Sequence, residues 1–293
     1  MNLLRAATLT TADLDAMVAR YAEWLDYALV EQGTVPRDLA ASWGAPASAG
    51  RRFAVMRPAS GVDAYLRFIE DAPVASYEPL RTYGWAAVEI CNQDVLGVNE
   101  RMLRSPFEII GPPKTIDGIP TIHPMQVKGP DKEIVYLTEI KPEAQGMGLP
   151  RPRSFIDRLF ILVMACSDME ASAAWFTSKL KLTLGPSTSI IYTMINGAFG
   201  LPGDTKHAFR MGGHDGDVFI EFDQYPDQTV TRPRHEDALP PGVSLCTLKH
   251  PDFDAIDAPW IAPPTRREGA IYGGGRVGTV AGPDGTLIEV VEV

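Results

Sequence analysis

The chain has 293 residues, 45% of them hydrophobic and 22% charged, an ordinary balance for a globular protein with room for a large core. Its net charge is -10 and its basic residues are scattered, which argues against a general nucleic-acid binder. No apolar run is long enough to span a bilayer, and the first residues lack the charged and apolar regions of a signal peptide. Three cysteines without CxxC spacing, Cys91, Cys166 and Cys246, read as reduced thiols of a cytoplasmic protein.

In chain order, a strand–helix–strands pattern recurs four times. The first unit opens with LLRAATLT as a strand. TADLDAMVARYAEWLDYALVEQG follows as a helix, with Leu14, Met17, Val18, Tyr21, Leu25, Ala28 and Leu29 as its apolar stripe. RRFAVMRP and VDAYLRFIE close it as strands. The second unit has GWAAVEIC, a helix over 93–104, then PFEIIGP, HPMQVKGP and EIVYLTEI.

The third unit opens with FILVMAC. Ser167 and Glu170 have capping-box spacing, and Met169, Ala173, Phe176 and Leu180 share one helical face. An apolar, Gly-containing insertion, SIIYTMINGAFGLPGDT, reads either as a cover over a pocket or as a plain surface loop. KHAFRMGG and DVFIEFDQY flank the turn GGHDGD. The fourth unit has VSLCTLKH, a short Pro-interrupted helix near DFDAIDAPW, then GRVGTVAG and GTLIEVVEV.

The segment KPEAQGMGLPRPRS (141–154) is the strongest linker. It suggests an N-terminal pair of modules over 1–142 (about 1–72 and 82–142) and a C-terminal pair over 153–293 (about 153–226 and 241–293). One unit is too small to bury a good core by itself, so units must pair. Sequential pairing and crossed pairing, first with fourth and second with third, both remain open. Aligned last-strand positions are Arg67, Tyr136, Glu221 and Glu289, at spacings of 69, 85 and 68 residues by subtraction.

SDMEASAAWFTSKL (167–180) and GPDGTLIEVVE (282–292), with looser matches at TADLDAMVARYAEWL and GPDKEIVYLTEI, resemble the vicinal oxygen chelate superfamily. This is the glyoxalase, bleomycin-resistance and extradiol dioxygenase group. The resemblance implies an α+β fold of four βαβββ modules, pairing into two cupped mixed sheets. It also implies that a metal, where present, is held by a His or Gln early in a first strand and a Glu in a last strand. Glu221 and Glu289 stand at last-strand ligand positions. The first-strand positions, seven residues before each helix-opening Asp, are Ala6, Ala87, Ile161 and Leu245, none of them His or Gln. No cofactor is therefore favoured. A divalent metal on Glu221 and Glu289 is the alternative.

Strand alternation selects the residues facing a cup. Glu89, in the apolar strand WAAVEIC, suits general acid/base work because burial disfavours its charge, although a structural ion pair would also explain it. Tyr136 suits an oxyanion donor or a core aromatic. Arg67 and Lys249 suit an anionic substrate group, and Arg67 equally suits a pair with Glu289. His123, His207 and Tyr272 are further binding candidates. Together these residues suggest a lyase or isomerase moving protons on a small, oxygenated, partly hydrophobic carbonyl compound. Glu89 would act as base and Tyr136 as oxyanion donor, in a monomer or homodimer. Alternatives are a non-catalytic binding or resistance protein and a metal-dependent dioxygenase or glyoxalase-like enzyme.

Overall fold

The computed structural model describes residues 2–116, 118–144 and 146–293. Gln145, inside the expected linker, lies outside them.

The first module runs β1 (Leu4–Thr11), α1 (Leu14–Leu25), β2 (Tyr27–Thr34), α2 (Arg37–Ser42), β3 (Arg52–Pro58) and β4 (Tyr65–Glu70). The second has β5 (Gly84–Asn92), α3 (Val95–Met102), β6 (Glu108–Gly111), β7 (Ile122–Lys128) and β8 (Ile134–Ile140). The third has β9 (Ile156–Cys166), α4 (Met169–Leu180), β10 (Thr183–Ile191), α5 (Thr193–Phe199), β11 (Lys206–His214) and β12 (Asp217–Gln224). The fourth has β13 (Val243–His250), β14 (Thr265–Arg266), β15 (Arg276–Ala281) and β16 (Leu287–Glu292), with only a single turn of 3-10 helix (Phe253–Ala255) where a helix was expected.

Each of the three long helices opens on an aspartate whose carboxylate accepts from the first turn: Asp13 from Ala16, Asp94 from Leu96 and Gly97, Asp168 from Ala171. The third helix is thus capped by Asp168 rather than by a Ser167–Glu170 box; Glu170 pairs with Arg210 instead. The first helix stops at Leu25, sooner than its apolar stripe suggests. Asp26 turns left-handed there (φ 57), and Ala28 and Leu29 continue as an edge strand with Leu29 exposed. The insertion in the third module is ordered as the end of β10 followed by α5.

The pairing is crossed. One sheet has the order β14-β15-β16-β13-β1-β4-β3-β2, the other β10-β11-β12-β9-β5-β8-β7-β6. The central ladders, β1 with β13 and β5 with β9, are antiparallel. Division of the chain into an N-terminal pair (1–142) and a C-terminal pair (153–293) is therefore corrected. Each half contributes one module to each sheet, because the first strands find their partners across the linker.

A large core cluster joins residues of both sheets with α1, α3 and α4, as where Trp85 stacks edge-on to Phe176 and donates to the Leu287 carbonyl at 3.0 Å. Two smaller clusters line the opposite, concave faces. The central strands are thus buried on both sides. On β5, Val88 and Ile90 belong to the shared core and Ala87 and Cys91 to a cup. On β16, Ile288 and Val290 belong to the core and Leu287 and Val291 to the other cup. This explains acids inside apolar strands: Glu89 and Glu289 sit on cup faces by strand alternation. Among the described residues no helix is long and apolar enough to cross a membrane.

Candidate active site

The parallel ladders between first and last strands place four pairs at equivalent register: Thr8 with Arg67, Glu89 with Tyr136, Val163 with Glu221, and Thr247 with Glu289. The four last-strand positions aligned from sequence therefore coincide in three dimensions. Each cup receives two pairs.

In the cup of the first and fourth modules the quartet is Thr8, Arg67, Thr247 and Glu289. Arg67 and Glu289 are 2% and 0% exposed and form an ion pair at 3.1 Å. The remaining valences are filled. Trp43 donates to Glu289 at 2.8 Å, Thr247 at 2.8 Å and Tyr272 at 3.0 Å. Arg67 donates to Thr8 at 2.8 Å and to the Tyr272 hydroxyl, and its guanidinium lies 4.6 Å from the centre of the Trp43 ring. The segment carrying α2 and Trp43 drops into the cup, leaving about 20 Å³ of space, room for about one water. This cup is filled by the protein itself. Arg67 and Tyr272, expected as substrate contacts, are instead both bonded to Glu289. Lys249 lies half-buried two residues beyond Thr247, outside that cluster.

The cup of the second and third modules is open. A cavity of about 320 Å³ is lined by Glu89, Tyr136 and Glu221, by apolar side chains including Phe160, Ile161, Met194 and Phe209, and at its rim by the exposed Lys114 and Lys206. Glu89 and Glu221 project from β5 and β12, which flank β9. Both are buried, at 6% and 8% exposure. Among the described residues neither is ion-paired. Glu89 accepts from the Thr138 hydroxyl and Glu221 from the Tyr192 hydroxyl.

Burial pushes the Glu89 carboxyl up to about 8, and the charge of Glu221 adds to this against the Thr138 hydrogen bond. Burial also raises Glu221, while Tyr192 and Asp223 hold it back. Asp223, fully buried two residues further along β12, is raised well above the usual carboxylate range by burial and by Glu221. The Tyr136 hydroxyl lies buried in the cavity wall without a partner among the described residues.

The two histidine candidates do not reach the cavity. On β7 the alternate residues Ile122, Pro124 and Gln126 line it, so His123 faces the other way, 3.8 Å from Glu139. His207 is bonded to Asn196 at 2.7 Å and braces α5 onto β11; burial lowers its pKa. Two side chains near the acids, Tyr192 and Asp223, were not among the expected site residues. Tyr192 lies in the insertion that read either as a cover or as a plain surface loop, and Asp223 follows Glu221 at the alternation spacing that would have found it.

The donor set does not fit the metal pattern that the resemblance implied. The open cup offers two carboxylates, a phenol and Val163 at the four register positions, and no imidazole. Among the described residues no group of three or more His, Cys, Asp or Glu is arranged to hold a metal ion. A shared site on Glu221 and Glu289 is excluded by topology, because the two lie in different sheets.

No family model and no curated protein matches the chain. Solved structures do. A variant of glyoxalase I from Zea mays has a TM-score of 0.68 at 15% identity, covering 99% of this chain and 94% of that one. Glyoxalase I from Zea mays itself has 0.65 at 15%, covering 100% and 92%. A dioxygenase-like protein from Bacillus subtilis has 0.61 at 11%, covering 99% and 84%. At such identities the likeness concerns architecture, and it spans all four modules: this chain has the fold of the vicinal oxygen chelate superfamily, with two cupped sheets in a single chain.

Proposed function

We propose that the chain is an enzyme moving protons on a small, oxygenated, partly hydrophobic molecule bound in the open cup, as a lyase or isomerase. The observation that carries this is the pair Glu89 and Glu221, two buried carboxyl groups lining one largely apolar cavity, neither of them ion-paired among the described residues. Two such groups resist ionising together, so one holds a proton while the other holds a charge. Glu221, whose carboxylate accepts from the Tyr192 hydroxyl, serves as base. Glu89 keeps its proton near neutral pH and serves as acid, which refines its expected role as base. The unpartnered Tyr136 hydroxyl donates to an oxyanion on the substrate.

The test is proton exchange. Small aryl ketones and hydroxy ketones are incubated with the protein in deuterated water, and label α to the carbonyl is followed by NMR. Exchange by the wild type, falling about 100-fold or more in Glu89→Gln and in Glu221→Gln, is the expected result. Tight binding with ligand recovered unlabelled and unaltered would make the chain a binding protein. Elemental analysis of protein purified without added metal covers the remaining reading; a stoichiometric transition metal lost in both variants would overturn the metal-free chemistry.

A further inference from the structure

We infer that the ligand of the open cup carries a protonated amine or a guanidinium group. The inference rests on the open cup being the ligand site, and the molecule supplies its own template in the other cup. There, the position equivalent to Tyr136 is Arg67, and the position equivalent to Glu221 is Glu289. The Arg67 guanidinium is held by the Glu289 carboxylate, by hydroxyls of Thr8 and Tyr272, and by the face of Trp43. Tyr272 also donates to Glu289, fixing the carboxylate that receives the cation.

The open cup keeps the carboxylate and its tyrosine donor but lacks the cation. Glu221 replaces Glu289, and Tyr192 donates to it as Tyr272 does to Glu289. Tyr136 and Tyr192 supply aromatic faces and Tyr136 a free hydroxyl. A second carboxyl, Glu89, stands where the closed cup has Thr8. A cationic head with an apolar body would complete the set: the head between the acids, the body against Phe160, Met194 and Phe209. An anionic head would have to displace water from two acids. The only basic residues lining the cavity among the described ones, Lys114 and Lys206, are exposed at its rim, where solvent screens their charge.

The groups that set the protonation of this pocket are Glu89, Glu221 and Asp223, with Tyr136, Tyr192 and Tyr225 against them and Lys114 and Lys206 at the mouth. A bound cation stabilises the carboxylate form of Glu89. The proton goes to bulk buffer, so up to one proton leaves per cation bound near neutral pH.

Titration calorimetry with phenethylamine, phenylguanidine, 2-phenylethanol and phenylacetate tests this. The two cations are expected to bind about tenfold or more tightly than the alcohol, with phenylacetate weakest. Heats measured in two buffers of different ionisation enthalpy should report proton release at neutral pH. Tyr136→Arg should place a guanidinium where the closed cup has one, abolishing amine binding while the melting temperature holds or rises. This variant keeps the test independent of whether Glu89→Gln and Glu221→Gln, each expected to weaken the amine about tenfold, fold normally. Equal binding of alcohol and amine, preference for phenylacetate, no amine binding at millimolar concentration, or undiminished binding in a folded Tyr136→Arg would each overturn the inference. Ketone exchange without amine selectivity would sink this inference and leave the proposed catalysis standing. Amine selectivity without exchange would do the reverse.

Discussion

The two cups are built on the same ladder positions but carry different residues there. In the first–fourth cup a last-strand Arg faces a last-strand Glu, and the pair is wrapped by Trp43, Tyr272, Thr8 and Thr247, which leaves about 20 Å³ of space. In the second–third cup Arg67 is replaced by Tyr136 and Thr8 by Glu89, and about 320 Å³ stays open above two unpaired acids. One cup has become part of the core and the other has stayed a cavity.

The largest way to break this contrast is to remove the closed cup's cation. Arg67→Leu leaves Glu289 charged, fully buried and without its counterion, and should cost about 3–5 kcal/mol in denaturant unfolding. The paired change Arg67→Leu with Glu289→Leu should recover much of that loss, since a buried ion pair replaced by apolar groups is often close to neutral. A single variant with wild-type stability would show that the pair contributes nothing to the closed cup.

An effect of opposite sign is expected in the open cup. Folded Glu89 favours its protonated form, so its contribution to stability is complete below the ordinary 4.5 and is lost as pH rises toward about 8. Glu89→Gln cannot ionise and should remove that loss. Relative to wild type it should gain up to about 5 kcal/mol by about pH 9 and about 1 kcal/mol or less at about pH 5. Melting curves of both proteins across that range check this, and parallel curves would contradict the burial of an unpaired acid.

The smallest expected effect is at Tyr136. Its hydroxyl has no partner among the described residues, so Tyr136→Phe should change stability by less than about 1 kcal/mol. Its consequence should appear in ligand binding and exchange instead. A large loss of stability would mean that the hydroxyl is held by something inside the protein rather than kept for a ligand.

Much of this architecture was readable in the residues. The strand pattern, the aspartates opening three helices and the repeat spacing located all four modules, and the aligned positions Arg67, Tyr136, Glu221 and Glu289 fall on equivalent rungs. Glu89 stood out because an acid in a strand buried on both faces must meet something polar. Within the modules the departures were local. The stripe of α1 ran on into Ala28 and Leu29 because an edge strand can begin with apolar residues that mimic a helical period. The Ser167–Glu170 spacing gave way to Asp168, a stronger acceptor one residue later. Trp43 and Tyr192, the side chains that close one cup and equip the other, lie in segments whose composition does not say which way they fold.

What the sequence determined by itself was each module: alternation, helix starts and turns depend on neighbours a few residues away, and their physics is complete within the segment. Pairing was decided only by tertiary structure. Four first strands of similar apolar character can form central ladders in more than one combination, and local pattern does not distinguish them. Crossed pairing brought Arg67 to Glu289 across 222 residues and took it away from Glu89. That one long-range choice neutralised one acid and left two others facing an open cavity.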